Sequence, residues 1–260
     1  MNKSTELLEK DVWDKYFAEA LNGKGQEMDN SDLWWQISED DTVDIIFDIF
    51  KQKNISILEA GCGSGGTNFS LEKRLNVEQI DLLDISENAL LYAKKITPEH
   101  VLKKTRYIQG SILETNNKQL RKYDLVWNTG LIEHYQKDEI VKIIENMLAL
   151  TKKDGAVVLG IPNIKSLAVL KSAFLGTNFA KKFLPFIKGY RNTTEIIYFD
   201  KEITEIVEKN FKTVVVQTKY AGSPLFVGTP KFIVKLFNKL CSKTRFSFLT
   251  YFILTRKDLL

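Results

Sequence analysis

Ile57-Leu58-Glu59-Ala60-Gly61-Cys62-Gly63-Ser64-Gly65-Gly66 is the stretch on which the fold turns. The apolar run from Ile55 to Leu58 has the composition of a buried strand, and it breaks into glycines that let the backbone turn sharply and leave room where a Cβ would collide with a ligand. A helix is expected from about Thr67 to Leu75, and its first turn aims unpaired N–H groups back at the glycines. Strand, glycine turn and helix in that order form the floor of a nucleotide-like cofactor site in an α/β protein.

Moving outward, Gln79-Ile80-Asp81-Leu82-Leu83-Asp84 reads as a second strand ending in a carboxylate, and Ser86 is placed to cap a helix from Glu87 to Ile96. Gly61, Gly63 and Gly66 satisfy G-x-G-x-x-G, with Asp84 roughly 20 residues on, where a dinucleotide enzyme holds its ribose. Spacing alone therefore leaves the cofactor open. A third strand, Thr105 to Gln109, runs into Gly110-Ser111-Ile112. Tyr123 to Gly130 reads as a fourth strand, followed by Leu131-Ile132-Glu133-His134-Tyr135. The next helix carries Ile140, Ile144, Met147 and Leu148 on one face, Gly155 reads as its C′ stop, and Gly155 to Pro162 supplies a fifth strand.

Glu59 two residues ahead of Gly61, within LEAGCGSGG, resembles motif I of the class I S-adenosylmethionine-dependent methyltransferases. LIEHY resembles the LEH signature of the subgroup that includes ubiquinone-biosynthesis and many small-molecule methyltransferases. Five motifs in order cover roughly Ile55 to Asn163. The resemblance implies S-adenosylmethionine as cofactor and S-adenosylhomocysteine (SAH) as product. It assigns both ribose hydroxyls to Asp84, a role that suits an acceptor-only carboxylate, with Ile85 next to it. Ser111 and Ile112 fall where adenine is recognised, although many relatives carry Asp at the position of Ser111. Glu59, Gly61, Cys62 and Gly63 line the loop, Glu59 acting on the ligand or through the loop backbone. Asn128 and Thr129 are either contacts to the methionine moiety or polar strand ends. N-terminal helices often cover the cofactor in this family, which makes Tyr16, Trp34 and Trp35 candidates for its roof, against the plainer reading of aromatic core.

The implied fold is a Rossmann-like seven-stranded mixed sheet with its last strand antiparallel and helices on both faces. Residues 1–50 form an N-terminal helical cap and 51–260 the methyltransferase domain, with a lid inserted after strand five at about 163–199. Asp200 is expected to cap a helix carrying Ile203, Ile206, Val207 and Phe211. A strand at Thr213 to Gln217, a helix opening at Thr229-Pro230 and a strand at Phe246 to Thr255 complete the chain.

With 260 residues, a net charge of +4 and two cysteines, the composition suits one globular domain and excludes a disulfide scaffold or a zinc site. No apolar run approaches the ~20 residues of a membrane span. The N-terminus is polar and charged rather than a secretory leader, so a cytoplasmic protein is expected. Charge is uneven: 163–194 and 212–257 contain no acidic residue, while acids gather in the first fifty residues.

Methyl transfer from a sulfonium requires the acceptor to be held in line, with a base when the acceptor is a hydroxyl or an ammonium. His134 is the candidate base, because neutral imidazole takes a proton near pH 7; tying its turn to a neighbouring loop is the structural reading of the same residue. Glu133 and Tyr135 share its location, whereas His100 reads as an exposed loop residue. An acid-free lid mixing lysines with phenylalanines suits a small-molecule acceptor that is apolar, anionic or both, with oxygen favoured over nitrogen or carbon. It also suits a lipid-linked substrate at a membrane surface. The small charge excess argues against nucleic acid. A non-catalytic protein that keeps the fold for binding is the reading from another class, and the intact loop, Asp84 and LEH-type segment argue against it. No residue pattern sets the oligomeric state.

Overall fold

Strands covered by helices on both faces must be apolar on both, and the runs read above become strands of that kind. The computed structural model describes residues 5–23, 33–51, 53–114, 119–183, 195–241 and 243–257. Helices α1 (Thr5–Leu21) and α2 (Leu33–Phe50) precede β1 (Asn54–Ala60), α3 (Gly66–Arg74), β2 (Asn76–Asp84), α4 (Glu87–Ile96), the single-turn α5 (Glu99–Leu102), β3 (Thr105–Gln109) and β4 (Tyr123–Thr129). A 3-10 turn (Ile132–His134) leads to α6 (Lys137–Leu150), β5 (Thr151–Pro162), α7 (Leu167–Gly176), α8 (Asn178–Phe183), α9 (Asp200–Asn210), β6 (Val214–Ala221), α10 (Lys231–Cys241) and β7 (Leu249–Arg256).

The strands form a seven-stranded sheet in the order β3-β2-β1-β4-β5-β7-β6. Strands β1 to β5 are parallel to one another, and β7 lies antiparallel between β5 and β6. A doubly wound dinucleotide sheet continues instead with a sixth parallel strand, so the sheet departs from the dinucleotide pattern that the glycine spacing allowed. Ile57, Leu82, Trp127 and Val158 pack on the face shared with α2, α3 and α4. Leu58, Val126, Val157 and Leu159 pack on the face covered by α6 and α9. Leu249 pairs with both Pro162 and Ala221, which brings the α7 and α10 connections to the same carboxyl edge as the glycine turn.

Local expectations are corrected at several points. Gly155 is not a helix stop: α6 ends at Leu150, with Thr151 as its cap, and Gly155 lies inside β5 at a register shift opposite Tyr123 and Leu125. A Cβ there would stand 2.5 Å from the Asp124 carbonyl oxygen, so backbone proximity explains the glycine. Asp200 is the first residue of α9 rather than its cap. Its carboxylate takes the Lys165 ammonium at 3.0 Å, the Tyr220 hydroxyl at 3.2 Å and the Thr250 hydroxyl at 3.1 Å, joining α9 to β6 and β7. Helix α10 opens one residue after Pro230, whose carbonyl accepts the Val234 N–H at 3.1 Å. His100 lies on α5, exposed, with Nε2 3.4 Å from Glu72. Of the expected lid, α7 and α8 are described, and 184–194 lie outside the described residues. Among the described residues no helix is long and apolar enough to cross a membrane.

Candidate active site

Three residues of the glycine turn, Gly61 (φ +64°), Gly63 (φ +50°) and Gly65 (φ +66°), adopt left-handed backbone, which a side chain disfavours. Gly66 does not: it opens α3. A Cβ on Gly61 would come within 2.7 Å of Leu131, and one on Gly65 within 2.7 Å of Leu82. The turn is therefore held tightly between the β4 and β2 ends, and the third glycine required by the backbone is Gly65, not the Gly66 of the spacing pattern.

Asp84 ties this turn to the end of β2. Its Oδ2 accepts the Gly63 N–H at 2.9 Å and its Oδ1 the Ser86 N–H at 2.8 Å. Each oxygen keeps a second lone pair, which fits a ligand offering two hydroxyls. Burial raises the Asp84 pKa against the pull of those N–H groups. Ser86 accepts the Ala89 N–H as helix cap at 3.0 Å and donates to Asp14 of α1 at 2.6 Å. Ile85 is half-buried between them.

Glu59 is buried and does not reach across the turn. It takes the Asn68 amide, which also donates to the Gly65 carbonyl at 3.1 Å, while Trp127 Nε1 donates to Asn68 Oδ1 at 3.2 Å. Burial pushes the Glu59 pKa up to about 8. Asn68, which sequence reading missed, thus links the Glu59 carboxyl to the glycine turn. Cys62 is buried in the core, and burial, then Asp84 and Glu59, push its thiol far up. That excludes a ready nucleophile.

Ser111 and Ile112, both buried, follow β3 beside Asp84, whose carbonyl accepts the Gly110 N–H at 3.0 Å. The Ser111 hydroxyl accepts the Leu113 N–H at 2.9 Å, which leaves its own hydrogen to donate. Thr129 and Asn128 diverge, as consecutive strand residues must. Thr129 meets the Tyr251 hydroxyl at 2.9 Å on the face of Glu59. Asn128 turns under α6, its amide 3.4 Å from the Met147 sulfur and its Oδ1 without a hydrogen-bond partner.

Helix α1 lies over the glycine turn. Phe17 is buried and would touch a Cβ at Gly63 at 3.3 Å. Tyr16 is half-buried, edge-on to Trp13 and Phe17 at 5.7 and 5.1 Å between centroids. Trp34 packs elsewhere, on Phe248 at 4.6 Å, and donates to the Leu225 carbonyl. Trp35 lies edge-on to it.

His134, on the turn after β4, is buried, with Nδ1 3.1 Å from Glu9 Oε2 and its ring edge-on to Trp13 at 5.9 Å. Burial lowers its pKa, but Glu9 and Glu133 outweigh that, and the net direction is upward. Glu133 is buried, one of its oxygens lacks a hydrogen-bond partner, and burial pushes its pKa up to about 7. It opens on a narrow cleft lined by Ile161, Pro162, Val169, Glu195 and Tyr198. A larger cleft, lined by Leu148, Phe211, Val214 and Arg256, opens at the opposite edge of the sheet, away from every residue named here. Glu9, Asp14 and Glu195 come to this place without warning from the sequence, because only the chain's long-range return brings them there.

Residues 57–155 match the model of the methyltransferase domain family. A release factor glutamine methyltransferase of Flavobacterium psychrophilum is 29% identical over 175 residues, 66% of this chain and 56% of that protein. The chain thus spans little more than half the length of that curated relative. Among solved structures, magnesium protoporphyrin IX methyltransferase from Synechocystis PCC 6803 with bound SAH superposes with a TM-score of 0.61 at 17% identity, covering 98% of this chain and 100% of that one. The DhpI–SAH complex gives 0.59 at 13% identity, covering 98% of each chain. The small RNA methyltransferase HEN1 gives 0.59 at 19% identity, over 90% of this chain and 27% of its own. The structural likenesses establish the fold. The domain match marks residues 57–155 as similar to the methyltransferase domain, the stretch that holds the glycine turn, Asp84 and the β4 end.

Proposed function

We propose that the chain methylates a small-molecule acceptor bound at the carboxyl ends of β4 and β5, with oxygen the favoured acceptor atom. When bound, S-adenosylmethionine supplies a methyl group activated on a sulfonium. Asp84, the backbone of Gly61 to Gly63, Ser111 and Ile112 are the residues that would hold it. One observation supports the acceptor reading: the buried Glu133 oxygen without a partner lies beside a narrow cleft lined by apolar side chains and by a second carboxylate, Glu195. An unpaired buried carboxylate is costly unless a ligand donates to it. Two carboxylates, Glu133 and Glu195, on that cleft favour a small hydrogen-bond donor over a phosphodiester chain.

His134 is assigned the acceptor proton. Glu9 at Nδ1 fixes the ring orientation and raises its basicity, as a carboxylate does for a catalytic imidazole. Glu133, with its pKa near 7, stands beside it as the second proton-accepting group.

The test is transfer of tritiated methyl from S-adenosylmethionine into fractionated cell extract. Label in the low-molecular-weight fraction, reduced at least tenfold by His134→Gln, supports the assignment. Label confined to RNA or protein overturns the acceptor class, and full activity in the variant removes His134 from the chemistry.

A further inference from the structure

Helix α10 reads Lys231-Phe232-Ile233-Val234-Lys235-Leu236-Phe237-Asn238-Lys239-Leu240-Cys241. Positions four apart stack along one line of a helix, and Phe232, Leu236 and Leu240 on such a line are 73, 57 and 70% exposed. Lys231, Lys235 and Lys239 form the adjacent line, all exposed. Val234 is the fully covered residue of the helix, so α10 is held to the body on one side and turns a continuous apolar row outward. A helix that serves only to cover a core does the reverse.

The surface continues beyond α10. Phe226 and Val227 are exposed in the connection ahead of it. Lys171 of α7 stands 4.3 Å from the Phe226 ring centre, and the Leu167 N–H donates to the Pro224 carbonyl at 2.9 Å. These contacts bring α7 alongside, with its exposed Leu167, Leu170 and Phe174. Neither 163–194 nor 212–257 contains an acidic residue. Scattered exposed apolar side chains need no explanation, but an ordered row flanked by lysines does.

We propose that α10, with the neighbouring α7, docks the protein on an anionic membrane surface. The apolar row enters the headgroup boundary while Lys231, Lys235 and Lys239, on a segment without acidic residues, meet lipid phosphates. Both helices leave the carboxyl edge of the sheet, so docking brings the acceptor cleft to the bilayer.

The experiment is flotation of the full chain with phosphatidylcholine vesicles containing phosphatidylglycerol, and with phosphatidylcholine alone. The wild type floats with the anionic vesicles at low salt, not with the neutral ones, and is released as salt screens the lysines. Each lysine contributes roughly fivefold, so the combined Lys231→Glu, Lys235→Glu and Lys239→Glu variant, which also adds repulsion, loses at least about a hundredfold in partition. The combined Phe232→Ser, Leu236→Ser and Leu240→Ser variant also loses binding while keeping its charge. Its altered side chains are exposed, and an unchanged thermal melt verifies its folding. The proposal is overturned if the wild type stays at the bottom of the gradient, if the serine variant floats like the wild type, or if sedimentation shows a dimer that the serine substitutions dissociate without any lipid binding. None of these outcomes involves methyl transfer, so the catalytic reading stands or falls separately.

Discussion

Glu9 Oε2 and His134 Nδ1 lie 3.1 Å apart, and this contact fastens the N-terminal helix to the turn at the carboxyl end of β4. Trp13 Nε1 donates to the same carboxylate at 3.1 Å. The roof over the glycine turn and the candidate base are thus one unit, and moving α1 changes the environment of His134.

This coupling predicts a titration. The folded His134 pKa lies above 6.5, so the pair's stabilisation is fully present below about 6.5 and is lost as pH rises through the folded value. With His100 exposed and His134 buried, NMR of the two imidazoles separates them. Glu9→Gln should shift the His134 midpoint downward. An unshifted His134 midpoint in the variant would show that Glu9 does not set it.

Glu59 gives a second pH dependence. Its folded pKa is about 8 against 4.5 for the free group, so folded protein binds the proton more tightly and stability falls as pH rises from about 4.5 to 8. Urea unfolding across that range should show the decline in wild type and a flatter profile in Glu59→Gln. Parallel profiles would mean that Glu59 is ionised in the fold.

Asn68→Ala should cost about 3 kcal/mol, because it strands Glu59, the Gly65 carbonyl and the Trp127 indole N–H together. Denaturant unfolding measures it; a loss under about 1 kcal/mol would show that water replaces the amide.

The glycines separate cleanly. Gly65→Ala, with φ +66° and Leu82 2.7 Å from the new Cβ, should destabilise by about 3 kcal/mol. Gly66→Ala, whose Cβ would meet only Ser64 Oγ at 3.6 Å, should change stability by less than about 1 kcal/mol. Equal melting points for the two variants would contradict the turn geometry.

Much of this was legible in the chain because it is local. The β1 run, the Ser86 cap and the Asp84 position follow from short-range periodicity and turn chemistry. Gly66 was read in place of Gly65 because spacing patterns carry no φ, and Gly155 was read as a stop because a close backbone approach leaves no mark in sequence. Asn68, Glu9 and Asp14 were not legible at all: each acquires its partner only when distant segments pack. Trp34 shows the converse, since an aromatic at helical spacing reads equally as roof or core, and its contacts with Phe248 and Leu225 make it core.

The most direct measurement is calorimetric titration with SAH and, separately, with NAD, on wild type and Asp84→Ala. The account predicts saturable binding of SAH alone, weakened about a hundredfold or more in the variant by loss of two hydrogen bonds to a charged group. Binding of NAD instead, or SAH affinity unchanged in Asp84→Ala, would contradict it.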